Sequence, residues 1–104
     1  MSSALKTARK LARRLADEQV DVNEVEKVLA YARRVRDVDR VREVLGRLAT
    51  QDLIVYSKRT KGYIQSIQRI VGPVLPRDPD AALELLGWTA RLMRYEQQRR
   101  RAGR

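Results

Sequence analysis

Tyr56-Ser57-Lys58-Arg59-Thr60-Lys61-Gly62-Tyr63 is the stretch of this chain whose residue types come closest to a binding site. A helix opened by Ser57 or Thr60 places Lys58, Arg59 and Lys61 at its start, where cations oppose the helix dipole at a cost of a few tenths of a kcal/mol each. Backbone N–H groups at the same turn have no intrahelical partner. An anion satisfies both, which is how helix N-termini hold phosphate. Ser57 and Thr60 add hydroxyl donors, Gly62 permits close backbone approach, and Tyr56 and Tyr63 carry rings able to stack on bases. The bland alternative is a solvated basic turn with both tyrosines half in the core.

Two further basic groups stand apart from this one. Lys6, Arg9, Lys10, Arg13 and Arg14 crowd a short segment with no acid before Asp17. Arg91, Arg94, Arg99, Arg100, Arg101 and Arg104 mark the C-terminal end, and Arg69 lies between the two groups as another candidate contact. The whole chain carries 23 Lys and Arg against 13 Asp and Glu, a formal charge of +10. A field of that sign attracts polyanions. The surplus is uneven: 12 basic and 9 acidic residues in 1–52, but 11 and 4 in 53–104. Arginine outnumbers lysine 18 to 5, which suits bidentate phosphate contact and equally suits a GC-rich coding sequence.

Catalysis finds little to work with. There is no Cys and no His, so thiol nucleophiles, disulfides, the usual zinc sites and imidazole acid–base chemistry are excluded. Most aspartates stand where helices begin, as caps, and the five glycines are too scattered for a phosphate loop. No enzyme activity and no cofactor are expected. No apolar run approaches the ~18 residues of a membrane span. Residues 1–14 lack the apolar stretch of a secretory signal. A cytoplasmic protein is the plain expectation, although a basic, amphipathic organellar transit sequence has the same look.

The elements that must position these groups are all helical. Leu5, Ala8, Leu11, Ala12 and Leu15 form one stripe of a helix over residues 3–18, with the cations around the rest. Asp21 or Asn23 caps a second helix, Asn23 with Glu26 approximating a capping box, and Val25, Val28, Leu29, Ala32 and Val35 lie inside. Arg33, Arg34 and Arg36 close it, where the dipole favours cations. A third helix, capped by Asp37 or Asp39, buries Val41, Val44, Leu45 and Leu48, with a break expected near 36–39 rather than one continuous helix over 23–49. Leu53-Ile54-Val55-Tyr56 reads as a buried connector. Tyr63, Ile64, Ile67, Ile70 and Val71 line a fourth helix that Gly72-Pro73 stops. Asp78 caps and Pro79 starts the last helix, which runs to about Arg100. Leu83, Leu86, Ala90 and Met93 make one stripe of it, while Leu85, Trp88, Leu92 and Tyr95 make a second. The expected architecture is a single all-α domain, a compact bundle of about five helices. Its last helix is long and largely buried, or turns Trp88, Leu92 and Tyr95 to a protein partner, and a frayed basic tail begins near residue 99.

Taken whole, a basic, Cys-free, all-helical chain of about a hundred residues resembles the small helical subunits of type III CRISPR effector complexes. The resemblance rests on Ser57-Lys58-Arg59-Thr60-Lys61-Gly62-Tyr63 at a helix start and on Leu85-Leu86-Gly87-Trp88-Thr89-Ala90-Arg91-Leu92-Met93-Arg94-Tyr95 in the final helix. It implies an antiviral ribonucleoprotein whose small subunits stack beside one another, contact guide or target RNA through its backbone and cleave nothing. Arg59, Lys61 and the arginines of the first and last helices would then be RNA contacts, and Trp88 would lie at a subunit seam, against another subunit or another copy of this chain. Two other readings of the residues remain: a stand-alone DNA-binding protein of the nucleoid or regulatory kind, and a basic helical adaptor for an acidic protein.

Overall fold

A computed structural model describes residues 3–50 and 58–102, and among these it contains five α-helices, one 3₁₀ turn and no strand. The helices are α1 (Ser3–Asp17), α2 (Val22–Val35), α3 (Val38–Thr50), α4 (Lys58–Val71) and α5 (Pro79–Ala102), with the 3₁₀ turn at Gly72–Val74. The apolar stripes locate all five. The Leu53–Tyr56 connector, Ser57 and Arg104 lie outside the described residues.

Local chemistry sets the ends. The Asp21 carboxylate accepts from the Asn23 N–H at 2.9 Å, so Asp21 is the cap and Asn23 already belongs to α2. The Asn23–Glu26 box therefore does not form, which leaves Glu26 for another partner. α2 and α3 are separate helices: Arg36 turns left-handed (φ 49°, ψ 40°) with its N–H on the Ala32 carbonyl, and Asp37 accepts from the Arg40 N–H at 3.1 Å. No glycine marks that corner, so the charged cap is what reverses the chain. Thr60 lies within α4 rather than before it. Asp78 accepts from the Ala81 N–H at 2.9 Å, with Pro79 opening α5 as expected. A half-buried Arg42 pins the α4–α5 connection by donating to the carbonyls of Gly72 (3.2 Å) and Leu75.

α5 is the pillar. It packs most extensively on α1 and next on α2, while α3 packs on α4. Arg94 meets Glu26 at one end and Arg36 meets Asp80 (2.5 Å) at the other, so α2 and α5 are antiparallel. Arg100 donates to the Ala16 carbonyl (3.4 Å) and Asp17 (2.8 Å), while Arg9 lines a cavity with Leu92 further back, so α1 and α5 run parallel. Gln65 bonds the Ala49 carbonyl (3.0 Å) and ties α4 to α3. One apolar cluster joins all five helices, with Leu15, Ile67, Leu86 and Met93 fully enclosed. Ala8 and Ala12 are fully buried as well, and their small size lets α1 and α5 approach closely. Thr89, also enclosed, returns its hydroxyl to the Leu85 carbonyl at 2.7 Å.

Two expectations about α5 change in detail. The tail is not frayed from residue 99: α5 stays helical to Ala102, held by the Arg100 contacts to the end of α1. The second stripe divides. Leu85 is buried and Leu92 half-buried, but Trp88 and Tyr95 stay 37% and 59% exposed.

Leu86 is fully buried where α5 meets α2, α3 and the Leu75 connection, beside Ala32, Val38, Val41 and Leu75. Leu86→Ala is expected to cost about 2–5 kcal/mol. Urea unfolding should show this as a lower midpoint with an unchanged slope.

Candidate nucleic-acid interface

α1 presents the cleanest basic face. Its core side is Ala8, Leu11, Ala12, Leu15 and Ala16, and directly opposite stand Lys6, Arg9, Lys10 and Arg13, all exposed, with Arg14 at the margin. Among the described residues none of these five makes an ion pair. They are spaced three and four apart, so neighbours repel by a few tenths of a kcal/mol per pair. Nothing in the fold needs that repulsion.

Beside this face, the parallel helices α1 and α5 leave a groove. A cavity of about 360 Å³ is lined by Arg9, Ala12 and Arg13 from one helix and by Leu92, Tyr95, Glu96 and Arg99 from the other. Three guanidinium groups thus face one carboxylate. Glu96 is 7% exposed and engages Arg99 (3.4 Å) and Arg100 (3.8 Å), so its charge is turned inward to hold the arginines in place. The same exposed flank of α5 continues to Trp88, whose ring carries the Arg91 guanidinium 5.4 Å from its centroid. The residues expected to form a protein interface (Trp88, Leu92, Tyr95) and those expected to bind nucleic acid (Arg9, Arg13, Arg91, Arg99) therefore share one surface.

Other candidate contacts have partners within the chain. Arg69 is bound by Glu18, and Ser66 donates to the same carboxylate at 2.8 Å, tying α4 to the end of α1. Arg94 gives both Nε and Nη to Glu26. Arg69 and Arg94 are thus ties between helices, and the uninterrupted basic surface does not pass through them. Sequence periodicity alone could not separate these arginines from the free ones, because Glu18 and Glu26 are 51 and 68 residues distant.

Lys58 and Arg59 are exposed at the start of α4, and Thr60, Lys61 and Tyr63 are half-buried. Tyr63 lines a second cavity of about 480 Å³ with Gln97, Arg100, Arg101, Asp21 and others, where the far ends of α1 and α5 meet α4. The Lys58–Tyr63 cluster is therefore a neighbour of the α1–α5 surface at its C-terminal end, with acids interspersed. The sequence signal that marks the better surface is the absence of acid from residues 3–16, taken with rings at positions 88 and 95.

Among the described residues no group of three or more His, Cys, Asp and Glu side chains is arranged to hold a metal. No helix among them is long and apolar enough to cross a membrane. No protein family, curated protein or solved structure matches this chain.

Hydrogen bonds from Arg69 and then Ser66 hold the Glu18 carboxyl below its ordinary value near 4.5, with the charges of Arg69 and Arg14 assisting against a small desolvation. A depressed folded-state value contributes stability above pH 4.5 that is lost as pH falls through it. The carboxylate is largely solvated, so the effect is small. The melting-temperature advantage of the native chain over Glu18→Gln is expected at neutral pH and should vanish as pH falls through the range below 4.5.

Proposed function

We propose that this protein is a non-catalytic subunit that holds the phosphate backbone of nucleic acid, RNA above all, along the α1–α5 face without reading its sequence. The observation that carries this reading is the exposed row Lys6, Arg9, Lys10 and Arg13, which has no acid partner among the described residues and continues across the groove to Arg99. Cations placed to repel one another on a folded surface are relieved by a polyanion, and guanidinium groups suit its phosphates. Phosphate contacts fix position and carry no sequence information. Without Cys or His, and with Glu96 turned toward its own arginines, the face offers grip rather than chemistry. The resemblance to the small helical subunits of RNA-guided effectors supports RNA as the strand and a larger ribonucleoprotein as the setting.

The test compares two charge reversals, Arg9→Glu with Arg13→Glu and Lys58→Glu with Arg59→Glu, by fluorescence anisotropy against labelled RNA and DNA strands of one sequence at several salt concentrations. The α1 pair is expected to lose affinity on the order of tenfold or more. It should also flatten the plot of log K against log salt by about 1.4, at ~0.7 per lost contact with a single strand. The α4 pair should lose much less. Equal affinity of the α1 variant and the native chain would overturn the assignment, and loss confined to the α4 variant would move the site to Lys58 and Arg59.

A further inference from the structure

Trp88 and Tyr95 occupy successive exposed positions on one face of α5, seven residues and about 10.5 Å apart along its axis. Half-buried Leu92 lies between them, and arginines flank both rings. Arg91 lies against the indole, and Tyr95 opens into the groove that Arg9, Arg13 and Arg99 surround. A second copy of this chain would bring the same positive charge against itself. A basic surface interleaved with solvent-facing rings matches a different occupant.

We infer that the α1–α5 groove takes nucleic acid as a single strand, with unpaired bases stacking on Trp88 and Tyr95 while phosphates lie on Arg9, Arg13 and Arg99. The inference rests on the proposed backbone binding and adds to it the form of the strand. In a duplex the base faces are already stacked on one another, and only an unpaired base can offer its ring to a side chain. The interval between the two rings equals about three nucleotide steps at ~3.4 Å each, and a more extended strand would bridge it with fewer. The groove's volume of about 360 Å³ is at the small end of ligand pockets, room for one base with its sugar. Arg91, stacked on Trp88, keeps a cation beside the first ring, so charge and aromatic surface alternate along the whole track.

Trp88 is the only tryptophan of the chain, so its emission reports directly on the site. The full-length native protein is titrated with a 12-nucleotide oligouridylate and, separately, with a blunt-ended RNA duplex of two complementary strands. Binding to each is followed by anisotropy of a label on the RNA, and Trp88 emission is recorded in parallel. The single strand is expected to quench Trp88 as it binds, with the duplex leaving the emission nearly unchanged. Trp88→Ala with Tyr95→Ala, its helical content checked by circular dichroism, should weaken the single-strand complex on the order of 10- to 100-fold and the duplex complex within about twofold. Single-strand binding that is lost in the Arg9→Glu, Arg13→Glu variant, yet neither quenches Trp88 nor weakens in the double alanine variant, would overturn the stacking and leave backbone binding standing. Equal weakening of both complexes by the alanine pair would also overturn it. Failure of the native protein to bind either RNA would overturn both readings together.

Discussion

The parallel contact between α1 and α5 is the constraint on which the remaining structure depends. Fully buried Ala8 and Ala12 let the two helices approach, and Leu11, Leu15 and Met93 are buried with them in the one core cluster. With that side of α1 committed to the core, the helical period leaves its cations one place to go. All of them face solvent together. The same contact brings Tyr95 and Arg99 alongside Arg9 and Arg13, so the packing of the core also sets the composition of the surface groove.

Positive charge is divided between two roles. Arg36, Arg42, Arg69, Arg94 and Arg100 each reach an acid or a carbonyl on another element, and through them the loops and helix ends are fastened. Arg100 in particular meets the Ala16 carbonyl at the end of α1, where a helix carries negative partial charge. Most of these ties are exposed and individually weak. Their common feature is long sequence separation, which turns a set of modest contacts into a fixed arrangement of helices. The row on α1 has no such employment.

The helices were legible in the sequence because each carries a three-to-four-residue apolar stripe bounded by a chemical signal: Asp21, Asp37, Gly72-Pro73 and Asp78-Pro79. The left-handed Arg36 was not, since a positive φ is ordinarily marked by glycine or asparagine. The basic face of α1 could be read, whereas its meeting with Tyr95 and Arg99 could not, because no periodicity within one helix tells which neighbour lies beside it. Local reasoning favoured Lys58, Arg59 and Lys61, where the cations are contiguous. It gave less weight to a surface assembled from residues some 85 positions apart. Arg69 and Arg94 looked the same as Arg9 and Arg13 in one dimension, and only their distance from Glu18 and Glu26 in three dimensions distinguishes them.

Because α1 and α5 point the same way, the groove between them has a direction. Trp88 with Arg91 stands toward one end, and Arg99, Arg100 and Arg101 crowd the other. Antiparallel helices of similar sequence would tend to cancel such a gradient. A polymer with distinct 5′ and 3′ ends lying here would meet unlike surroundings in its two orientations, and the two would differ in energy. Copies arrayed head to tail would repeat the same bias, so that one chain polarity would be favoured along the whole row.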